Sequence, residues 1–346
     1  MKFTELEDSL VQRVVVYGAP KTGKSLLVGK LAEHYNLLWF DLERGSTVLK
    51  QLPVEWKDRI NLIQLHDSRV YPIAIETCLK VIKGTPMTVC VAHGKVGCIT
   101  CQKSKAPVDS IHLNALGHDT IVVFDSLTQL TNSAIANITK AQEDDYKLQQ
   151  DDWGALKILV EKFLSQVQVA PFNIVCITHE EELYKDDKKK VFEKVVPLCG
   201  SSNSSRNSAS KFDHVVYCDM KNKHHVAASG TDYSVTALTG SRTGVRMEDA
   251  SKDRECTLLD IFTSWKLPNF GRKDSAISDV QILQDVSAPT AKQELVAAVR
   301  EKQELDRIEA KLAPHAVVQV SVNTNMQVPL TPGQIALANM KARMGK

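Results

Sequence analysis

The chain has 346 residues, 43% of them hydrophobic and 24% charged, and carries a net charge of +2. That length and apolar content suffice for one core of about 200–250 residues with appendages. So small a net charge excludes a globally basic nucleic-acid binder and leaves any such surface to local clusters. No stretch approaches the ~18 consecutive apolar residues that span a bilayer. Met1–Leu10 is polar and acidic, unlike a secretory leader. A cytoplasmic protein with no membrane partner is the expectation. In that compartment the eight cysteines stay reduced, and clustered ones point to metal before disulfides.

In chain order, the first predicted element is a strand over Arg13–Tyr17, a β-branched run ending at a Gly-rich turn. A helix over Ser25–His34 follows. Asn36–Asp41 reads as a short buried strand and Ile60–Leu65 as a third, with a helix through Tyr71–Ile82 behind it. Thr120–Asp125 (TIVVFD) is another buried strand. Asp151–Gln168 has an acidic start and Trp153, Leu156, Leu159, Val160, Phe163 and Val167 near helical spacing. Asn173–Thr178 is a fifth apolar strand. Strands alternating with helices predict an α/β fold, a mostly parallel sheet covered on both faces. Beyond Thr178, Val191–Leu198, His214–Asp219 and Tyr233–Leu238 read as strands joined by polar turns, a mixed-sheet extension.

The periodic pattern weakens from about Met247. The expected organisation is an N-terminal lead (1–12), a core (13–246) and a partly disordered C-terminal appendage (247–346). The appendage carries a charged helix near 291–312, with Leu295, Val299, Leu305, Ile308 and Leu312 on a narrow apolar stripe. That helix can dock on the core, pair with another chain or act as a solvated tether.

Gly18-Ala19-Pro20-Lys21-Thr22-Gly23-Lys24-Ser25 fits the pattern of a glycine, four residues, a glycine, a lysine and a hydroxyl residue in full. Such a loop wraps a phosphate with inward-pointing backbone N–H groups. Gly18 and Gly23 permit the tight backbone, Lys24 reaches the β- and γ-phosphates, and the Ser25 hydroxyl ligates Mg²⁺. The helix that follows turns its positive end to the anion. A coincidental strand–turn–helix is the bland alternative, but the required strand before and helix after are both present. ATP with Mg²⁺ is the expected ligand. Asp125, ending its strand, is the expected second Mg²⁺ residue, holding the ion through water. An ordinary strand-ending acid is the alternative. Ser126 can hydrogen-bond the same water shell.

Further segments resemble one family. Trp39-Phe-Asp-Leu-Glu43-Arg-Gly is similar to the second core strand of RecA-like ATPases, in which a Glu just past the strand polarises the attacking water; Glu43 is the matching residue. Asn61–Leu65 and the helix after it continue the likeness. Asn173-Ile-Val-Cys-Ile-Thr-His179 resembles the strand whose end senses the γ-phosphate, which gives that role to His179. Ser241-Arg242-Thr-Gly244 is similar to the short motif whose Arg reaches a neighbouring subunit's nucleotide, although Gly240 stands where a companion Lys is usual. The resemblance covers about Arg13–Arg246. In compactness and motif order it is nearest to the small phage-encoded recombination and single-strand-annealing ATPases of the Sak type, often labelled AAA-family ATPases. It implies a RecA-like core, DNA-stimulated ATP hydrolysis and assembly as a ring or filament. It also implies action on single-stranded DNA, a possible partnership with a single-strand-binding protein, and a place in the host cytoplasm if phage-encoded. A motor or helicase loader of the same superfamily, a small-molecule P-loop kinase and a non-catalytic ATP-binding adaptor are the competing readings. No unwinding domain and no Arg-rich lid is visible for the first two.

Between the third core helix and the Thr120–Asp125 strand, an insert over 90–107 contains Cys90-x₂-His93-x₄-Cys98-x₂-Cys101. Four such ligands can close a tetrahedron around a structural Zn²⁺ and fold a segment that has no core of its own. Buried structural cysteines are the alternative, but Lys95, Lys103 and Lys105 make the segment unlike a core. For DNA, two regions stand out. Lys185–Lys194 reads as a basic hairpin tip with Lys188, Lys189 and Lys190. Ser201–Lys211 is Ser/Asn-rich and holds Arg206 and Lys211. In RecA-like proteins the segment after the sensor strand contacts DNA. A solvated turn is the plain alternative for the lysine run, which also contains Asp186 and Asp187.

Overall fold

A computed structural model of the chain describes residues 11–67, 72–142, 145–186, 191–221, 224–228, 237–244, 258–267 and 270. The stripe expected at 291–312, most of the lead over 1–12 and Lys188, Lys189 and Lys190 lie outside the described residues. So do 233–236 of the strand expected at Tyr233–Leu238.

The centre is a mostly parallel sheet. Strands β1 (Arg13–Tyr17), β2 (Asn36–Asp41), β3 (Ile60–Gln64), β6 (Thr120–Asp125), β7 (Asn173–Thr178) and β10 (His214–Lys221) run parallel in the order β3-β2-β6-β7-β1-β10. β11 (His224–Ala228) and the short β12 (Gly240–Ser241) pair antiparallel with β10. The predicted α/β architecture is therefore present, with the mixed extension at one edge. β1, β2, β6 and β7 have the expected bounds, because each is an unbroken apolar run of the kind a doubly covered strand requires.

The pleat divides these runs between two cores. Val15 and Tyr17, Leu38 and Phe40, Val122 and Phe124 face one side, against α3 (Ile73–Ile82), α5 (Leu127–Thr139) and α6 (Gln150–Val169). Val14 and Val16, Leu37 and Trp39, Ile121 and Val123 face the other, against Val28 of α1 (Lys24–Gly29) and the 3₁₀ turn Lys30–Glu33 after it. The helix expected over Ser25–His34 thus divides into an α-helical and a 3₁₀ part. In α6, Leu156, Val160, Phe163, Leu164 and Val167 are buried, whereas Trp153, expected on that face, is 45% exposed in the first turn.

The insert is more than a knuckle. β4 (Met87–Cys90) and β5 (Val108–Ile111) form an antiparallel hairpin around it, and α4 (Ile99–Ser104) carries Cys101. The segment is tied to the edge of the main sheet. The amide of Gln64 donates to Gly94 O at 2.7 Å, and Gln64 bridges Lys95 in parallel fashion. Gly94 has φ +58°, and a Cβ there would meet Leu62 O at 2.3 Å, so this close approach to β3 requires glycine. β8 (Glu180–Asp186) and β9 (Val191–Pro197) form the hairpin expected after the sensor strand, though the acidic Glu180–Glu182 gives no apolar strand signal. α7 (Ser202–Ser208) follows, and its Ser204, Ser205 and Ser208 are buried.

Within the stretch expected as an appendage, residues of 258–267 pack against the core. Leu258, Leu259, Ile261 and Phe262 pack with Val28, Leu31, Ala32 and Tyr35 behind the loop of Gly18–Ser25. Tyr35 Oη lies 2.8 Å from Ser264 Oγ, and Trp265 stacks on His34 with ring centroids 4.1 Å apart. The signal is easily missed, because two apolar residues in a three-residue 3₁₀ turn and two just after it have no period to read. Phe262 is 1% exposed, so Phe262→Ala is expected to destabilise the protein by roughly 3–5 kcal/mol. A urea transition at the wild-type midpoint would instead return the core boundary to about residue 246.

Candidate nucleotide site

The parallel strands bring their carboxyl ends to one edge of the sheet. Tyr17 pairs with Thr178, Asp125 with Ile177, and Asp41 with Asp125. The Gly18–Ser25 loop leaves β1 at this edge, the place where open α/β sheets bind ligands. Gly18 has φ +151°, and a Cβ on it would lie 2.0 Å from Cys218 O on the neighbouring strand, so the loop is seated against β10 as only glycine allows. Gly23 precedes α1 with φ +85°. Lys24 is buried and donates to the carbonyls of Gly18 (2.9 Å) and Ala19 (2.7 Å), so its ammonium closes the loop from within. Burial lowers its pKa, while Cys218, Asp125 and Glu43 oppose the shift. Thr22 Oγ1 donates to Ala19 O at 2.8 Å.

Ser25 Oγ donates to Asp125 Oδ2 at 3.0 Å. The two residues expected to share Mg²⁺ are thus already joined, although a hundred positions apart. This pair of hard oxygen donors suits Mg²⁺. Asp125 is 3% exposed. Burial and then the Glu43 carboxylate push its pKa up to about 7, with the Ser25 hydrogen bond and Lys24 opposing. The Asp125–Ser126 peptide is cis.

Glu43 and His179 meet at the same edge. β7 lies between β1 and β6, so His179, just past it, emerges between the loop and Asp125. His179 Nε2 is 3.8 Å from Glu43 Oε1, and both side chains remain about a third exposed, at 30% and 29%. Burial lowers the His179 pKa, as does Lys24, with Glu43, Glu180 and the Gly18 carbonyl opposing. Ser126 Oγ donates to Glu43 Oε1, and the same hydroxyl caps α5 by accepting from Gln129 N. Thr128 Oγ1 accepts from the His179 amide at 3.0 Å and touches Thr178 Oγ1, also at 3.0 Å. Thr128 and Asp41 were not singled out from sequence. For Asp41 the available signal was its place two residues before Glu43 at a strand end.

Other expected residues do not join this site. Arg242 follows β12, which pairs with the start of β10, and so sits at the edge opposite to its own chain's nucleotide loop. There it lies 3.6 Å from Asp213 and donates to Ser210 O. Within its own chain Arg242 is therefore remote from the Gly18–Ser25 loop. Arg206 pairs with Glu193 at 3.0 Å, and Lys211 lies 3.8 Å from Glu161, so both cations expected to meet DNA already face acids of their own chain. In the Ser/Asn-rich stretch before Lys211, Ser204, Ser205 and Ser208 are turned inward.

The second cluster is formed as expected. One ligand atom each from Cys90, His93, Cys98 and Cys101 lies within 4.8 Å of the others. His93 Nδ1 is 3.8 Å from Cys90 Sγ, 3.7 Å from Cys98 Sγ and 3.2 Å from Cys101 Sγ. Tetrahedral Zn²⁺ with Zn–S about 2.3 Å and Zn–N about 2.0 Å sets ligand separations of about 3.5–3.8 Å, so the donor set fits that ion. Burial pushes the Cys90 thiol up, but hydrogen bonding from the Lys95 and His93 backbone and the His93 ring brings it down to about 6. Burial and the neighbouring Cys90 and Cys98 push Cys101 up to about 11.

Sheet order, loop and carboxylates together define a P-loop ATPase. The family comparison agrees: residues 11–245 match the AAA domain family, and the chain belongs to it. No curated protein matches the chain. Among solved structures, an ATPase of the type III secretion system of pathogenic bacteria is similar at 14% identity and TM-score 0.33, over 62% of this chain and 54% of that one. The type III secretion ATPase EscN of enteropathogenic E. coli aligns at 15% identity and TM-score 0.32, over 60% and 43%. A KaiC-like protein of the archaeon Pyrococcus horikoshii aligns at 9% identity and TM-score 0.31, over 63% and 76%. The chain thus spans about half the length of the two secretion ATPases. Among the described residues no helix is long and apolar enough to cross a membrane.

The raised Asp125 pKa makes a signed prediction for protein free of nucleotide and Mg²⁺. Between the ordinary value of 3.8 and about 7, the native state holds this proton more tightly than the unfolded chain. Its contribution to stability is therefore lost as pH rises through that window. Asp125→Asn removes the titration, so the thermal midpoint of the variant relative to wild type should climb from about pH 5.5 to 8. Parallel pH curves for the two proteins would contradict it.

Proposed function

We propose that this ATPase hydrolyses ATP with Glu43 as general base and His179 as γ-phosphate sensor. We further propose that it uses the cycle to control its hold on single-stranded DNA in recombination, annealing or replication, as the likeness to Sak-type phage proteins implies. The observation that carries the reading is the convergence of Lys24, Ser25, Asp125, Glu43 and His179 on one sheet edge from four different strand ends. Mg²⁺, held by Ser25 and Asp125, supplies charge neutralisation when it binds with ATP. The backbone amides of Gly18–Ser25 hold the phosphates, and Lys24 exchanges its loop carbonyls for phosphate oxygens. Glu43 takes the proton of the attacking water, and its carboxylate accepts a hydrogen bond from Ser126 Oγ.

The link to DNA is supported by chain order at the site. His179 is followed at once by β8, so the β8–β9 hairpin, with Lys188, Lys189 and Lys190 between its strands, begins at the sensor. A change at His179 reaches the hairpin base directly, since the Leu198 amide donates to His179 O at 2.8 Å. Arg242, turned away from its own site and 53% exposed, is available to a neighbouring subunit in a ring or filament. The Cys90, His93, Cys98 and Cys101 cluster would hold a structural Zn²⁺, which would fix the insert that Gln64 ties to β3.

Single-stranded DNA is expected to raise the ATPase rate, and its affinity should fall steeply with salt. Reversing the charge of Lys188, Lys189 and Lys190 should weaken both effects and leave basal hydrolysis intact. An ATPase indifferent to DNA, or DNA binding unchanged in the triple variant, would reject this assignment. Elemental analysis should find about one zinc per chain, and Cys98→Ser should lower both zinc content and thermal stability. Metal-sufficient protein with no zinc would remove the metal centre.

A further inference from the structure

Asp41 is a buried acid at the nucleotide edge that the proposed chemistry does not use. It ends β2 beside Asp125, is 1% exposed, and lies two residues before Glu43. Both its oxygens are engaged by the turn that follows β2. Oδ1 accepts from the Gly45 amide at 3.2 Å, and Oδ2 accepts from Ser46 Oγ at 2.7 Å. On the β3 side, His66 Nε2 stands 3.8 Å from Oδ2. With these partners Asp41 is not placed as a metal ligand, in contrast to Asp125, whose Oδ2 meets Ser25.

The engaged groups define what Asp41 does. The chain leaves β2 through Leu42, whose amide still donates to Asp125 O at 2.7 Å, and Leu42 is buried. It then turns sharply. Arg44 has φ +63°, a left-handed conformation that a side-chain-bearing residue adopts at a cost in energy. Asp41 clasps the far side of that turn through Gly45 and Ser46, so residues 42–44 are held between two fixed points. Glu43 stands at the middle of the span, with its carboxylate against Ser126 and facing His179.

We propose that Asp41 is a positioning residue for the ATPase reaction: its carboxylate locks the Glu43–Gly45 turn and thereby aims Glu43 at the attacking water. The inference rests on the reading of Glu43 as general base. The Asp41 oxygens are taken by Gly45 and Ser46 of the turn, so its effect falls on turnover and not on nucleotide affinity. A misplacement of the base by about 1 Å costs on the order of 100-fold in rate.

The test is steady-state hydrolysis and calorimetric ATP binding on the full chain. Asp41→Ala should lower kcat about 10–100-fold with nucleotide Kd unchanged within about twofold. Asp41→Asn should restore much of the rate, because its side-chain carbonyl still accepts from Gly45. Added to Glu43→Gln, Asp41→Ala should cause no further loss of the residual rate, since both act through one group. Ser46→Ala loosens one strand of the clasp and should lower kcat several-fold at unchanged Kd, which provides a reading if Asp41→Ala does not fold. Wild-type kcat in Asp41→Ala or Ser46→Ala, a loss additive with Glu43→Gln, or a parallel loss of ATP affinity would each overturn the proposal. Wild-type hydrolysis by Glu43→Gln would instead remove the general base itself, a distinguishable failure.

Discussion

The site depends on parallel pairing without offset. Because β3, β2, β6, β7 and β1 run the same way in a continuous register, their ends share one edge, where Asp125, Glu43 and His179 come together. Slipping one strand by a residue would exchange its two faces and turn its last side chain away. The two apolar cores that clamp the sheet prevent this, since Val14 and Val16 belong to one and Val15 and Tyr17 to the other. Packing far from the phosphates thus sets the aim of Asp125, Glu43 and His179.

At that edge, like charges are crowded. Glu43 and Asp125 both act on the buried Lys24 ammonium, and burial first, then the Glu43 and Asp41 carboxylates, raise the Asp125 pKa. The three carboxylates have different partners. Asp41 is saturated by the turn it closes, Asp125 faces the Ser25 hydroxyl, and Glu43 keeps partial solvent access beside Ser126 and His179. Exposure and hydrogen-bond partners, rather than residue type, separate the three carboxylates and underlie the roles proposed for them. The Cys/His insert borders the same system at the β3 edge through Gly94 and Lys95.

Much of this was legible in sequence where local rules operate. The loop of Gly18–Ser25, the strands ending at Asp41, Asp125 and Thr178, and the Cys90–Cys101 spacing each depend on residues close together in the chain. What escaped had no local signal. α5 is rich in Thr, Ser and Asn, poor helix formers whose burial comes from packing against α3 and α6. β8 begins with three glutamates and is a strand only because β9 pairs with it. Residues 258–267 look like tail until Tyr35 and His34 receive them. The Ser-rich run at 202–208 suggests phosphate contacts, but its hydroxyls satisfy the backbone of Cys199 and the chain around it.

The sequence by itself determined which atoms bind a phosphate and which ligands suit a soft metal, because a nest of amides and a thiol–imidazole set are each built within a dozen residues. Only the tertiary structure decided how distant residues divide the labour. It joined Ser25 to Asp125, set Glu43 against His179, turned Arg242 to the opposite edge and spent Asp41 on a turn. Those outcomes follow from strand order and burial, which arise from the collapse of the whole chain and leave no mark in any short window of it.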